Sequence, residues 1–339
     1  MTIRIRTVKN RFLFWKGLII FIFVTCSRQG DFPELTGPYL GQRPPGETPE
    51  LFAPGILSHG FHERHLTLSP DGTEMYFSMT DDNYILHRIV GLKLRNGTWS
   101  SPKLVSFSSD FSDMSPFISP NGKRLYFNSK RPVNPDVDEG GNLNIWCVER
   151  QANGWSEPVH LGSSVNTDGP EAHPSISLNG ALYFQSIRDD ENGWDVYVSH
   201  FEKGTYSDPE KLGGNVNTPY TESAPYICPD ETYLLFHSNR PGGYGSMDIY
   251  LSFKQDDGTW DEPINLGPEI NSSRSDFGPM ISPDGKYLFF SSWRPSDPEI
   301  FNGKSYSQLL HLYGSPENGN GTLYWVSTTC IELLKKNRS

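Results

Sequence analysis

The chain has 339 residues, 13% of them aromatic, with 32 Gly and 27 Pro. Turn residues cluster between short runs of alternating apolar residues, which argues against a helical or disordered chain and for one large β domain. The formal charge of −11 disfavours a surface built to track phosphates, whose affinity comes from counterion release at a basic face, so no nucleic-acid partner is expected.

In chain order, Arg4, Arg6, Lys9, Arg11 and Lys16 precede an apolar run over 17–25 that stops at Cys26. That is the layout of an export signal, and the run is shorter than the roughly 20 residues a membrane-spanning helix needs. The box Phe23-Val24-Thr25-Cys26 resembles a bacterial lipoprotein signal, in which the cysteine becomes the acylated first residue. Residues 1–26 are therefore expected to be a signal peptide of lipoprotein type. Acyl chains on Cys26, at about 0.8 kcal/mol per buried methylene, would hold the protein on a membrane. Residues 27–47, rich in Gly and Pro, read as a flexible tether, and 331–339 as a polar tail.

Between tether and tail the chain repeats one unit five times: an acidic residue, a Ser-Pro-Asp-Gly turn or a drifted copy, then an aromatic strand. The turns begin at Ser69, Ser119, Ser177, Cys228 and Ser282, and spacings of 50 to 58 residues mark a propeller or similar array. In the fourth unit, strands are expected at 224–227, 233–237 and 248–252, and a fourth over 260–266. The expected fold is thus all-β: a single β-propeller of four-stranded antiparallel blades spanning 48–330. Five blades are expected, or six if another hides within 296–321. Trp99, Trp155, Tyr206 and Trp260 recur in the fourth-strand segment, where large rings suit blade-to-blade packing; a sugar platform would need them exposed. The fifth unit ends at its third strand, 323–326, so residues 48–53 are expected to supply the missing strand and close the ring.

These turns, followed by Tyr-Phe-Ser strands, resemble the WD40-like propeller repeats of TolB and of many envelope proteins of Gram-negative bacteria. The resemblance implies an interaction scaffold in the periplasm or at the outer membrane, with an envelope protein or a glycan as partner and no catalytic residue. The rival class is a carbohydrate-active enzyme, because five-bladed propellers also host glycoside hydrolases using paired carboxylates; Asp110, Asp168 and Asp276 are the residues it would draft.

Two groupings could carry a site. Glu63, Asp113, Glu171, Glu222 and Asp276 each stand six residues before a turn, at the entry to the channel-lining first strand. Neighbours about 10 Å apart would repel by roughly 1.7 kcal/mol at a dielectric near 20, so the ring needs compensating charge. Arg131, Arg188, Arg240 and Arg294 recur at matched positions and favour structural pairing, with Asp81 in the arginine's place in the first unit. A calcium ion held by the carboxylate ring is the alternative, and no other cofactor is expected. His59, His62 and His65 lie close together but lack a standard metal-ligand framework. Beyond Cys26, Cys147, Cys228 and Cys330 leave an odd thiol and define no disulfide framework.

Overall fold

The computed structural model describes residues 32–81, 85–136, 139–188, 193–294, 302–316 and 318–336. The signal segment and Cys26 lie outside the described residues. The chain divides into a unit over residues 1–33 and a second over 34–339, and the second is a five-bladed β-propeller.

Blade one is built from His62–Leu68, Glu74–Thr80, His87–Arg95 and Lys103–Leu104. Blade two uses Asp113–Ile118, Arg124–Ser129, Asn144–Gln151 and Val159–His160, and blade three Glu171–Ile176, Leu182–Ser186, Asp195–Ser199 and Glu210–Lys211. In blade four the strands are Glu222–Ile227, Tyr233–Ser238, Asp248–Phe253 and Ile264–Asn265. Blade five combines Asp276–Ile281, Tyr287–Ser292 and Thr322–Ser327 with Glu50–Leu51 from the other end of the chain, where Glu50 pairs with Trp325 and Leu51 with Tyr324. The expected closure is therefore present. Among the described residues no sixth blade forms: the described part of the fifth-blade insertion carries a helix, α1 (Tyr306–Tyr313), and loops.

The fourth strands differ from expectation. Trp99 belongs to a short extension of the third strand, pairing with Leu94, while the outer strand proper begins at Lys103. Pro102 lies between the two and has no N–H to continue the ladder, and Pro158 and Pro209 stand at the same place in blades two and three. The rings still seal the seams. Trp155 Nε1 donates to Tyr76 of blade one at 3.0 Å, the Tyr206 and Tyr126 hydroxyls meet at 2.9 Å, and Trp260 stands edge-on to Tyr183 at 6.3 Å. Trp99, Tyr206 and Trp260 are buried, so they pack blades and offer no sugar platform.

At the fifth seam the chain expected to be a flexible tether is instead docked in its second half. Trp99 N–H donates to Leu35 O and its indole to Gly37 O, while Leu40 is buried in the core. Tyr39 wedges between Tyr287 and Trp325, and its hydroxyl donates to Asp284. Five aromatic rings meet here, because Phe52 and Phe289 pack on Trp325 as well. Burying such surface outweighs the conformational freedom that Gly and Pro suggest in isolation. The described part of the tail is helical: α2 (Thr329–Lys336) buries Ile331 against the same core.

Each first strand slips register around one left-handed residue: His65, Ser115, His173, Ala224 and Gly278, with φ between 46° and 61°. For the four non-glycine residues this costs about 1–2 kcal/mol each. The slip aims a backbone N–H across the seam. Ser115, His173, Ala224 and Gly278 donate to Ser78, Asn128, Gln185 and His237 of the preceding blade.

Phe52 is fully buried at the closing seam. Phe52→Ala should cost about 3–5 kcal/mol in urea unfolding, the range for a large buried ring. A loss below 1 kcal/mol would show that the borrowed segment does not close the ring.

Candidate functional site: the loop face and its channel

Antiparallel order sends the loops before first strands and after second strands to one face, here the loop face, and the Ser-Pro-Asp-Gly turns to the other, the turn face. The five repeated carboxylates begin the first strands on the loop face and are all fully buried. Each folds back to accept the backbone N–H four residues earlier: Ser109 to Asp113, Thr167 to Glu171, Thr218 to Glu222, Ser272 to Asp276 and His59 to Glu63. In blades two to five the hydroxyl of that same Ser or Thr donates as well.

The arginines complete the arrangement. Nη2 of Arg131 lies 2.8 Å from Asp113, that of Arg188 3.3 Å from Glu171, that of Arg240 3.2 Å from Glu222 and that of Arg294 2.7 Å from Asp276. The same nitrogens bond the carbonyls of Phe107, Val165, Val216 and Ile270, so each guanidinium pins the entering loop to the corner after the second strand. Every guanidinium also lies over two rings of its own blade, Phe236 and Tyr250 for Arg240. Each carboxylate is thus engaged by groups of its own blade and entering loop. A guanidinium within the blade neutralises each of four, and among the described residues no three His, Cys, Asp or Glu side chains are grouped as a metal ion requires.

Blade one departs from this pattern. Asp81 replaces the arginine, and Val90 stands opposite Phe77 where the other blades place a second ring. Glu63 meets His59 Nδ1 at 3.6 Å, and its Oε2 is buried without a partner. Burial raises the Glu63 pKa, and the hydrogen bond with Glu63 raises that of His59. The three clustered histidines do not converge: His59 serves Glu63, His62 accepts from Gly321 N–H, and His65 enters the channel.

Inside the channel the left-handed residues form one layer. His65 and His173 meet edge-to-face at 4.3 Å, and Ser115 Oγ lies 3.4 Å from His65 Nδ1. Burial holds His173 and His237 down at about 3 and His65 well below the ordinary range, so all three are neutral at pH 7. Two residues on, Phe117, Tyr226 and Met280 narrow the channel to a waist that lines the cavities on both sides. Those cavities measure about 40 Å³ on the histidine side and 120 Å³ on the turn side.

Around the loop-face mouth, the position two before each carboxylate holds Phe61, Phe111, Gly169, Tyr220 and Arg274. Phe61, Phe111 and Tyr220 are 50%, 37% and 42% exposed. Sequence reasoning missed this collar, although its register with the repeated acids was readable. Asp110 and Asp168 are exposed on the same loops, whereas Asp276 is held by Arg294.

Neither a protein-family model nor a curated protein sequence matches the chain. Solved structures do. A TolB-type protein from Agrobacterium tumefaciens is 18% identical, over 79% of this chain and 90% of that one, with a TM-score of 0.47. A thermostable family-43 glycoside hydrolase is 14% identical over 78% and 89%, TM-score 0.50, and an alpha-L-arabinofuranosidase from Lactobacillus brevis 13% identical over 79% and 90%, TM-score 0.48. At these identities the likeness concerns the fold alone.

Substitution separates the two kinds of carboxylate. Glu222→Gln strips Arg240 of its counter-ion and should lower stability by about 2–4 kcal/mol, whereas Glu63→Gln removes an incompletely paired buried charge and should be neutral or stabilising at pH 8. Equal losses in thermal melts would refute the distinction. Because the folded-state pKa of His59 is raised, its contribution is complete below the unfolded value near 6.5 and is lost as pH rises through the folded value. His59→Ala should therefore abolish a loss of melting temperature that the native protein shows on going from pH 6 to 8.

Proposed function

We propose that this chain is an exported, lipid-anchored propeller of a Gram-negative cell envelope that binds a protein or glycan partner through its loop face and carries out no chemistry. The observation that carries this reading is the collar. Gly169 and Arg274 occupy the same position in blades three and five, so the scaffold does not require a ring there. Three half-exposed rings at a site the fold leaves free are what a contact surface uses.

Other features of the face agree. Ile85, Val133, Tyr244 and Trp293 are exposed on the loops after second strands, and α1 in the fifth-blade insertion exposes Tyr306, Leu310 and Tyr313 at helical spacing. The repeated carboxylates, which a glycosidase would need at the mouth, are turned inward onto loop N–H groups, and four of them onto arginines. Within the channel, cavities of about 40 and 120 Å³ are also small beside the roughly 300–1,000 Å³ usual for small-molecule sites. Export and anchoring rest on the charged segment, the apolar run and Cys26.

The test uses a photo-cross-linking residue at position 111 in cells, with and without Phe61→Ala, Tyr220→Ala and Trp293→Ala together. These rings are partly exposed, so the variant should keep its melting temperature while adduct yield falls at least tenfold. Turnover of a glycoside panel by the native protein, abolished by Asp110→Asn or Asp168→Asn, would replace this reading with the hydrolase one.

A further inference from the structure

The opposite mouth of the channel carries a separate site. Below the waist, Leu68, Ile118, Ile176, Ile227 and Ile281, one from each blade, line a cup of about 120 Å³. Pro70, Pro120, Pro229 and Pro283 from the repeated turns form its rim, and Phe117, Tyr226 and Met280 its floor. At waist level Thr67 and Ser175 spend their hydroxyls on the backbone: Thr67 Oγ1 accepts from Ile118 N–H and Ser175 Oγ from Ile227 N–H. The wall of the cup is thus aliphatic in all five blades. The cup approaches the size of an apolar cavity of roughly 150 Å³ that stays dry and takes benzene.

Next in sequence after the rim position, the third residue of each turn is Asp71, Asn121, Asn179, Asp230 and Asp284. Although burial pulls the other way, hydrogen bonds from Ser69, Cys228 and Ser282 hold the three carboxyls below their ordinary range, so all are ionised at neutral pH. Lys286 answers Asp284 at 3.5 Å, and Tyr39 donates to the same carboxylate. Asp71 and Asp230 instead accept from groups of their own turns, Ser69 and Thr73 in one and Cys228 and Thr232 in the other, neutral donors that leave the charge of each carboxylate in place.

The geometry points to a binding site for the end of a single unbranched alkyl chain carrying a cationic head group: the chain enters the round cup along the propeller axis, and the ammonium group sits at the acidic rim. A carboxylate head would meet the like charge of Asp71 and Asp230. The site lies on the face opposite the collar and does not depend on the loop-face reading.

The experiment is calorimetry of the full chain with n-alkylammonium ions from butyl to decyl, alongside alkyl carboxylates of the same lengths. Each added methylene should tighten binding roughly fourfold until the cup fills at about six carbons, after which affinity levels off. The carboxylates should bind at least tenfold more weakly. Met280→Phe copies Phe117, which stands at the same position in blade two, and should cost at least tenfold in hexylammonium affinity with the fold intact. Should that variant melt early, Asp71→Asn with Asp230→Asn decides, since asparagine occupies the position in blades two and three; it should erase the preference for ammonium over carboxylate. An affinity independent of chain length, equal binding of both head groups, or unchanged binding by a well-folded Met280→Phe protein would each overturn the assignment. Loss of the collar rings should leave this binding untouched.

Discussion

A carboxylate buried at the head of each blade is the interaction on which the rest of the structure depends. Taken out of water, it must be satisfied by fixed donors, and it finds them in the loop that has just arrived from the neighbouring blade. In four blades an arginine about 18 residues later joins the same carboxylate to a carbonyl of that loop and lies over two rings of its own sheet. One charge thus fixes the entry angle of a strand, the path of a loop and the corner after the second strand. Removing either partner leaves the other buried and unpaired, the costly case for an internal ion pair. The loop face therefore rests on a rigid base, and its outer residues can vary without disturbing it.

Blade one shows what happens where that unit is relaxed. With Asp81 and Val90 in place of an arginine and a second ring, the cradle for a guanidinium is absent, and the entering loop supplies His59 instead. This loop is also where the ring closes. Ser58 Oγ donates to Phe52 O, and Asn318 and Asn320 both donate to Gly60 O, so it is tied to the borrowed strand and to the fifth-blade insertion. A Cβ at Gly60 would lie 2.2 Å from Ser315 O, so only glycine permits that approach. Seam and insertion are thus held by neutral hydrogen bonds and one titratable pair, where the other loops rely on a permanent cation.

Much of the architecture was legible because a propeller writes its period into the chain. The turn positions, the blade count and the strand missing from the fifth unit follow from registers that repeat, and the arginines stood out at matched positions for the same reason. What was not legible depends on contacts across the seams. Residues 35–42 look like a tether by composition, yet Tyr39 and Leu40 find a ring-filled groove that exists only once blades one and five are side by side. Spacing along one chain likewise could not tell whether five acids face a common axis or turn back into their own loops; the N–H four residues earlier decides that, and nothing in residue type announces it. The histidines, which lacked a metal-ligand framework in sequence, alternate between loop, strand face and channel.

Symmetry also supplies a criterion for where function lies. A residue type present in every blade at a buried position answers a demand of the fold, as the carboxylates and the aliphatic residues one step before each turn do. A position that is exposed and differs from blade to blade is under no such demand. The channel divides by this criterion. Its turn-face wall is aliphatic in all five blades, while its loop-face layer runs His65, Ser115, His173, Ala224 and Gly278, although each holds the same left-handed backbone. Glycine would meet that backbone requirement at the least cost and does so only once. The strain carried by His65 and His173 is therefore not needed to build the propeller. With His65 Nε2 and His173 Nδ1 left without partners beside it, the loop-face chamber departs from fivefold symmetry in the direction of polarity, next to the collar whose rings depart from it in exposure.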